Sequence, residues 1–143
     1  MAVSLDRVVA ALGLGLATAL GAAVVAGAVG RSDEPIVVDL TIHYSQFEPA
    51  AISVPAGRPV TFVIHNSDPI DHEWIVGDAA LHQRHRTGTE PIHDARPGEV
   101  SIDALGERQT TVTFAQPGSL TYICHLPGHE AYGMTGTITV TGG

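Results

Sequence analysis

Between residues 36 and 141 apolar and polar side chains alternate with period two, the pattern of strands that face a core on one side and solvent on the other. Ile36, Val38, Leu40, Ile42 and Tyr44 fall on one face of the first run, and Val37, Asp39, Thr41 and His43 on the other. Val60, Phe62 and Ile64 alternate with Thr61, Val63 and His65, and Val112 and Phe114 with Thr111 and Thr113. Leu120, Tyr122 and Cys124 share a face, and Ile138 and Val140 alternate with Thr137 and Thr139. Turn formers punctuate the runs at Pro55-Ala56-Gly57, Asn66-Ser67-Asp68-Pro69, Arg96-Pro97-Gly98, Gln116-Pro117-Gly118 and Pro127-Gly128. Short, evenly spaced, half-buried strands predict an all-β fold, an antiparallel Greek-key sandwich or barrel. Residues 77–97 fit no strand, and a short helical turn at 79–85 inside a long irregular connection is expected there.

The N-terminus breaks this pattern. Residues 8–30 carry no charge and are bounded by Arg7 and Arg31. The run is long enough to cross a bilayer as a helix, which takes ~20 apolar residues. Ala26-Gly27-Ala28 matches the small-residue pattern that signal peptidase reads. Residues 1–30 are therefore expected to be a signal peptide or a membrane anchor, with 31–143 as an exported domain, either periplasmic or extracellular or held on the outer face of the cytoplasmic membrane. Membrane contact is expected only through an uncleaved leader.

The 143-residue chain has 44% hydrophobic residues, and part of that share lies in the leader. Its 7 basic residues, all arginine, face 15 acidic ones, a formal charge of −8. Subtracting Arg7 and Asp6 leaves 6 against 14 in residues 31–143, so the acid excess belongs to the exported domain. That excess argues against nucleic acid, whose phosphates demand a basic surface. The single cysteine excludes an intramolecular disulfide framework, a four-cysteine zinc site and a Cys-x-x-Cys redox pair.

That cysteine opens the segment Cys124-His125-Leu126-Pro127-Gly128-His129-Glu130-Ala131-Tyr132-Gly133-Met134, between two predicted strands. A loop can curl until Cys124, His129 and Met134 converge. Thiolate, imidazole and thioether are a soft ligand set suited to copper. A trigonal site of two histidines and a cysteine with a weak axial methionine needs a second histidine. His72 is the first candidate, placed after a turn at the opening of a predicted strand, and His65 and His125 are its rivals. In a Greek-key sandwich, loops distant in sequence meet at one end.

With these residues in place the chain resembles the cupredoxins, the small blue copper proteins of the plastocyanin and azurin kind. Phe47-Glu48-Pro49 followed by Ile52-Ser53-Val54-Pro55-Ala56-Gly57 is similar to the family's early strand and turn, and the resemblance covers nearly all of residues 36–141. It implies one type-1 copper, with His72, Cys124 and His129 as equatorial ligands and Met134 as axial ligand. It implies single-electron transfer between protein partners rather than enzyme catalysis. Storage or delivery of copper is the alternative. Glu73 departs from the small polar residue common in the family after the first histidine, which puts that neighbour's tuning of the thiolate in question.

Other polar residues have competing readings. His125 follows Cys124 as in multicopper oxidases, but Ile123 replaces the histidine found before the cysteine there, and the chain has no His-x-His pair. An oxygen-reducing copper cluster is therefore not expected. His82, His85 and His93, with His125, offer a second, looser metal site, although a solvated polar loop is the simpler expectation. Asp68, Asp71 and Glu73 cluster near the candidate site, either as ordinary surface charge or as a face that steers a basic redox partner. Trp74 is expected in the core and His43 in solvent.

Overall fold

The alternation at residues 59–66 builds a strand whose inward side chains Val60, Phe62 and Ile64 are fully buried. Each contributes roughly 1.5–3 kcal/mol by leaving water. The computed structural model describes residues 35–88, His93 and residues 96–142. The signal peptide or anchor expected at 1–30 lies outside them. Among the described residues no helix is long and apolar enough to cross a membrane.

The elements run β1 (Ile36–His43), β2 (Gln46–Glu48), β3 (Ala51–Pro55), β4 (Pro59–Asn66), β5 (His72–Gly77), α1 (Ala79–Thr87), β6 (Glu99–Ile102), β7 (Glu107–Thr113), β8 (Gly118–Ile123) and β9 (Thr135–Thr141). One sheet has the order β2-β1-β4-β7, the other β3-β9-β8-β5-β6. The expected two-layer β architecture is present, but the sheets are mixed rather than purely antiparallel. β1 pairs with β4 in parallel, Ile36 opposite Val60, and β3 pairs with β9 in parallel, Ala51 opposite Thr137. Leu40, Ile42, Phe62, Trp74, Tyr122 and Ile138 fill the core.

Two local departures come from backbone geometry. Tyr44 does not continue the buried face of β1. It and Ser45 take φ of 52° and 53°, which ends the strand at His43 and exposes the Tyr44 ring. The predicted helical turn extends to Thr87 as α1, capped by the Asp78 carboxylate accepting the Leu81 N–H at 2.8 Å. α1 has no apolar stripe, and its buried residue is His82.

Trp74 packs against Phe62 with the rings tilted (4.6 Å between centroids) and lies near Tyr122 (6.0 Å), as expected of a core residue. The Tyr122 hydroxyl donates to the Pro49 carbonyl at 2.6 Å, which fixes its ring over β9. Gly136 gives the room for that ring, because a Cβ there would overlap Tyr122. Gly136→Ala is expected to lose about 1–3 kcal/mol by overpacking. Urea unfolding should show a lower midpoint at unchanged slope.

Candidate metal centre

β5 and β8 are antiparallel neighbours, with Ile75 opposite Ile123. The start of β5 and the end of β8 therefore lie at the same end of the sheet. This pairing brings His72 to Cys124 across a long separation in sequence. Both are buried. Cys124 begins the connection to β9, and that loop closes on itself. The His129 N–H donates to the Leu126 carbonyl (3.0 Å), the Met134 N–H to the His129 carbonyl (3.0 Å), and the Cys124 N–H to the Met134 carbonyl (3.2 Å). Gly128 and Gly133, at φ of 88° and 89°, supply the left-handed turns that let the loop curl so tightly.

The result is a convergent donor set. His72 Nδ1 lies 3.2 Å from His129 Nδ1, and Cys124 Sγ lies 3.3 Å from His129 Nδ1. Nitrogen ligands ~2.0–2.1 Å from one ion stand roughly 3.3–3.4 Å apart in a tetrahedral shell. The three side chains thus already hold the spacing of a shared cation. Met134 is fully buried beside them, its backbone bonded to both Cys124 and His129. Burial pushes the Cys124 thiol up to about 11, opposed by backbone N–H groups of Glu73 and Leu126. A thiolate in this pocket therefore calls for a bound cation. Two imidazoles, a thiol and a thioether are a soft set that fits copper better than Ca²⁺ or Mg²⁺.

The neighbouring groups orient this set. His72 Nε2 lies 3.0 Å from Asp68 Oδ2, so the carboxylate accepts a hydrogen bond from Nε2–H and leaves Nδ1 to face the cluster. Burial lowers the His72 pKa, which favours the neutral ring. Asp68 also accepts the backbone N–H groups of Tyr44 (2.8 Å) and Ser45 (2.7 Å). Burial works against its charge, yet the Ser45 and Tyr44 N–H bonds and the His72 ring together hold it below the usual carboxylate range. The Glu73 N–H donates to Cys124 Sγ at 3.4 Å. The contact of residue 73 with the thiol is thus made by its backbone, whatever its side chain.

His72, Cys124 and His129 come together as the sequence suggests, and the two rival histidines do not join them. His65 Nδ1 lies 3.1 Å from Glu107 on β7, and His125 Nε2 lies 2.9 Å from His82 Nδ1. His43 is exposed, as expected. The expectation of an acidic surface cluster is corrected. Asp68 and Glu73 are buried, and Asp71 alone of the three is exposed. The reading of His82, His85 and His93 as part of a solvated loop is corrected too, because His82 and His93 are buried and His85 is half-buried. Sequence reasoning missed Asp68 as the partner of His72. Their i, i+4 spacing across a turn was the available signal.

The family profile for copper binding proteins of the plastocyanin/azurin family matches residues 36–141, most of the chain. The chain belongs to this family. Among its cupredoxin relatives is the copper-resistant cuproprotein CopI of Rubrivivax gelatinosus, 34% identical over 66% of this chain and 59% of that protein. The copper-resistant cuproprotein CopI of Pseudomonas aeruginosa is 28% identical, covering 85% of this chain and 82% of that one. This cupredoxin thus spans 59% of the length of the Rubrivivax protein. In fold it is similar to auracyanin B, with a TM-score of 0.63, 23% identity, and coverage of 79% of this chain and 93% of that structure. Copper is the cofactor of this cupredoxin.

Proposed function

We propose that the chain carries single electrons on one type-1 copper, with His72, Cys124 and His129 as equatorial ligands and Met134 as the weak axial ligand. The observation that supports this most is the 3.2–3.3 Å convergence of His72 Nδ1, His129 Nδ1 and Cys124 Sγ. Bound there, copper supplies exchange of one electron between Cu(I) and Cu(II). The residues supply rigidity. His72 is locked by Asp68, Cys124 is held by the Glu73 N–H, and the loop carrying His129 and Met134 is closed by backbone bonds. A cage fixed in this way moves little between oxidation states, which suits a carrier rather than an enzyme.

His129 is half-buried at the surface end of this cage. Exposed Tyr44, Ile70 and Leu105 come from the loops that meet around Asp68, the partner of His72, and exposed Tyr132 from the loop that carries His129. Tyr44 and Leu105 are tied to Asp68 through their backbone N–H groups, and Tyr132 lies on the Cys124–Met134 loop. This rim offers an apolar docking face for a redox protein, in place of the acid cluster. The uncharged run at residues 8–30 supports an exported location, periplasmic or on the outer face of the membrane.

The test is the optical and EPR spectrum of the copper-loaded full chain, followed by its electron self-exchange rate. An intense visible band with narrow copper hyperfine splitting and fast exchange is expected. A colourless Cu(II) protein contradicts the assignment. Leu105→Glu is expected to slow bimolecular electron transfer by about 10-fold, by placing an unpaired charge at an apolar contact, while the spectrum stays unchanged. Stopped-flow kinetics with a reduced protein partner read the effect.

The names of the two CopI relatives favour a second reading, that the chain handles copper in resistance. Isotope exchange of the bound ion separates the two. Slow exchange supports a carrier, and ready release supports handling.

A further inference from the structure

A second donor cluster lies on the far side of Glu73 from the first. Ligand atoms of His85, His93 and Glu99 all lie within 4.8 Å of one another. They come from three separate places: the last turn of α1, the connection after it, and the start of β6. His93 and Glu99 are buried, and the His85 side chain is only 10% exposed.

The His85 ring is aimed by its surroundings, and His93 is anchored through its backbone. His85 Nδ1 lies 3.0 Å from the Leu81 carbonyl, which can only accept. In the neutral ring the proton therefore sits on Nδ1, and the Nε2 lone pair faces Glu99 Oε2 at 3.3 Å. A lone pair then meets a carboxylate oxygen at the separation of two ligands on one ion. Glu99 Oε2 is buried without a hydrogen bond. Arg96 reaches that oxygen at 3.5 Å from a side chain that is 65% exposed, a weak partner for a buried charge. His93 is pinned to β6 by two bonds with Ser101: its N–H donates to Ser101 Oγ (2.9 Å), and its carbonyl accepts the Ser101 N–H (3.2 Å).

The remaining histidines have other duties. His82 Nε2 lies 3.2 Å from the Thr121 carbonyl and donates to it, so His82 Nδ1 accepts a hydrogen bond from the His125 Nε2–H. The His125 ring stacks on that of His85 (5.6 Å, 20°) and walls the cluster. His85 and His93 line a pocket of ≈ 750 Å³ whose walls also include Glu73, Arg96 and His125, which leaves room for water to complete a coordination shell.

We propose that His85, His93 and Glu99 form a second metal site for a borderline divalent first-row cation, separate from the copper centre. Two imidazoles and one carboxylate beside an open position suit Cu²⁺ or Zn²⁺, with Cu²⁺ the tighter by the Irving–Williams order. Glu73 spans the two clusters. Its N–H contacts Cys124 Sγ, and its carboxylate lies 3.4 Å from His93 Nε2.

The test is Cu²⁺ saturation of the full chain, followed by metal counting and EPR. A second copper per chain is expected, weakly coloured, with wide hyperfine splitting and coupling to two imidazole nitrogens. Excess Zn²⁺ should displace it. His85→Gln and Glu99→Gln should each weaken this second ion at least ~10-fold while the intense visible band of the first stays, which also reports that the variant is folded. A wild-type chain that takes up no second ion overturns the site, as does a second ion that survives both substitutions. A chain that lacks the visible band but binds the weakly coloured ion fails the electron-carrier reading and leaves this one standing.

Discussion

Cys124→Ser is expected to abolish the intense visible absorption of the copper-loaded protein and its reversible one-electron redox activity. The serine is nearly isosteric and can accept the same Glu73 N–H, so the fold without copper should lose only about 1 kcal/mol. The ligand field changes completely. A buried hydroxyl neither ionises readily nor forms the covalent, polarisable bond of a thiolate. Copper affinity should fall by more than ~100-fold, since loss of an orienting neighbour alone costs ~10–100-fold. The stabilisation that copper gives the wild type, about 2.7 kcal/mol at a hundred times Kd, should largely vanish. Because burial pushes the Cys124 thiol up to about 11, copper uptake at neutral pH displaces its proton. Calorimetry in buffers of different ionisation enthalpy should find that proton in the wild type and not in the variant. A spectrum unchanged by the substitution would exclude Cys124 as a ligand.

The convergence of His72, Cys124 and His129 was legible in part: Cys124 and His129 sit on one loop with fixed spacing, while His72 was set above His65 and His125 by the turn before its strand together with the family resemblance. The strands were readable for a similar reason. Val60, Phe62 and Ile64 record which face of β4 is buried, and burial on one face is a local, period-two signal. Partner strands leave no such mark. Nothing in residues 36–42 states that β1 lies parallel to β4 rather than antiparallel to another strand. β6 was missed because it is four residues long: Glu99, Val100, Ser101 and Ile102 alternate polar and apolar, but too briefly to stand out as a periodic run. The helix was hard to read as a packed element because its inward residue is His82, which replaces an apolar contact with a hydrogen bond to Thr121. Asp68 and Glu73 show the same limit. An acid in a turn, as Asp68 is, or near the start of a strand, as Glu73 is, reads as surface charge until the fold supplies the partners that make its burial tolerable.

Asp68→Ala is expected to be the most damaging substitution outside the four candidate ligands. Tyr44, Ser45 and Leu105 have φ of 52°, 53° and 55°, a region costly for residues other than glycine. All three donate their N–H groups to Asp68: Tyr44 and Ser45 to the carboxylate, Leu105 to the backbone carbonyl at 3.0 Å. Asn66 holds the other side, its Oδ1 accepting the Asp68 N–H and its amide donating to the Ile70 and Asp103 carbonyls. Removing the carboxylate leaves two backbone donors and the His72 Nε2–H without their acceptor. The loss in stability should be about 2–4 kcal/mol, read by chemical denaturation. His72 would lose the bond that fixes its tautomer, so copper affinity measured against a competing chelator should fall ~10–100-fold. Asp68→Asn separates charge from shape. One amide oxygen can still accept, but the NH₂ group meets a donor, so its stability should fall between wild type and Asp68→Ala. Equal copper affinity in all three proteins would mean that the Cys124–Met134 loop alone orients the metal. A graded loss would place the control of His72 in a carboxylate on the β4–β5 turn.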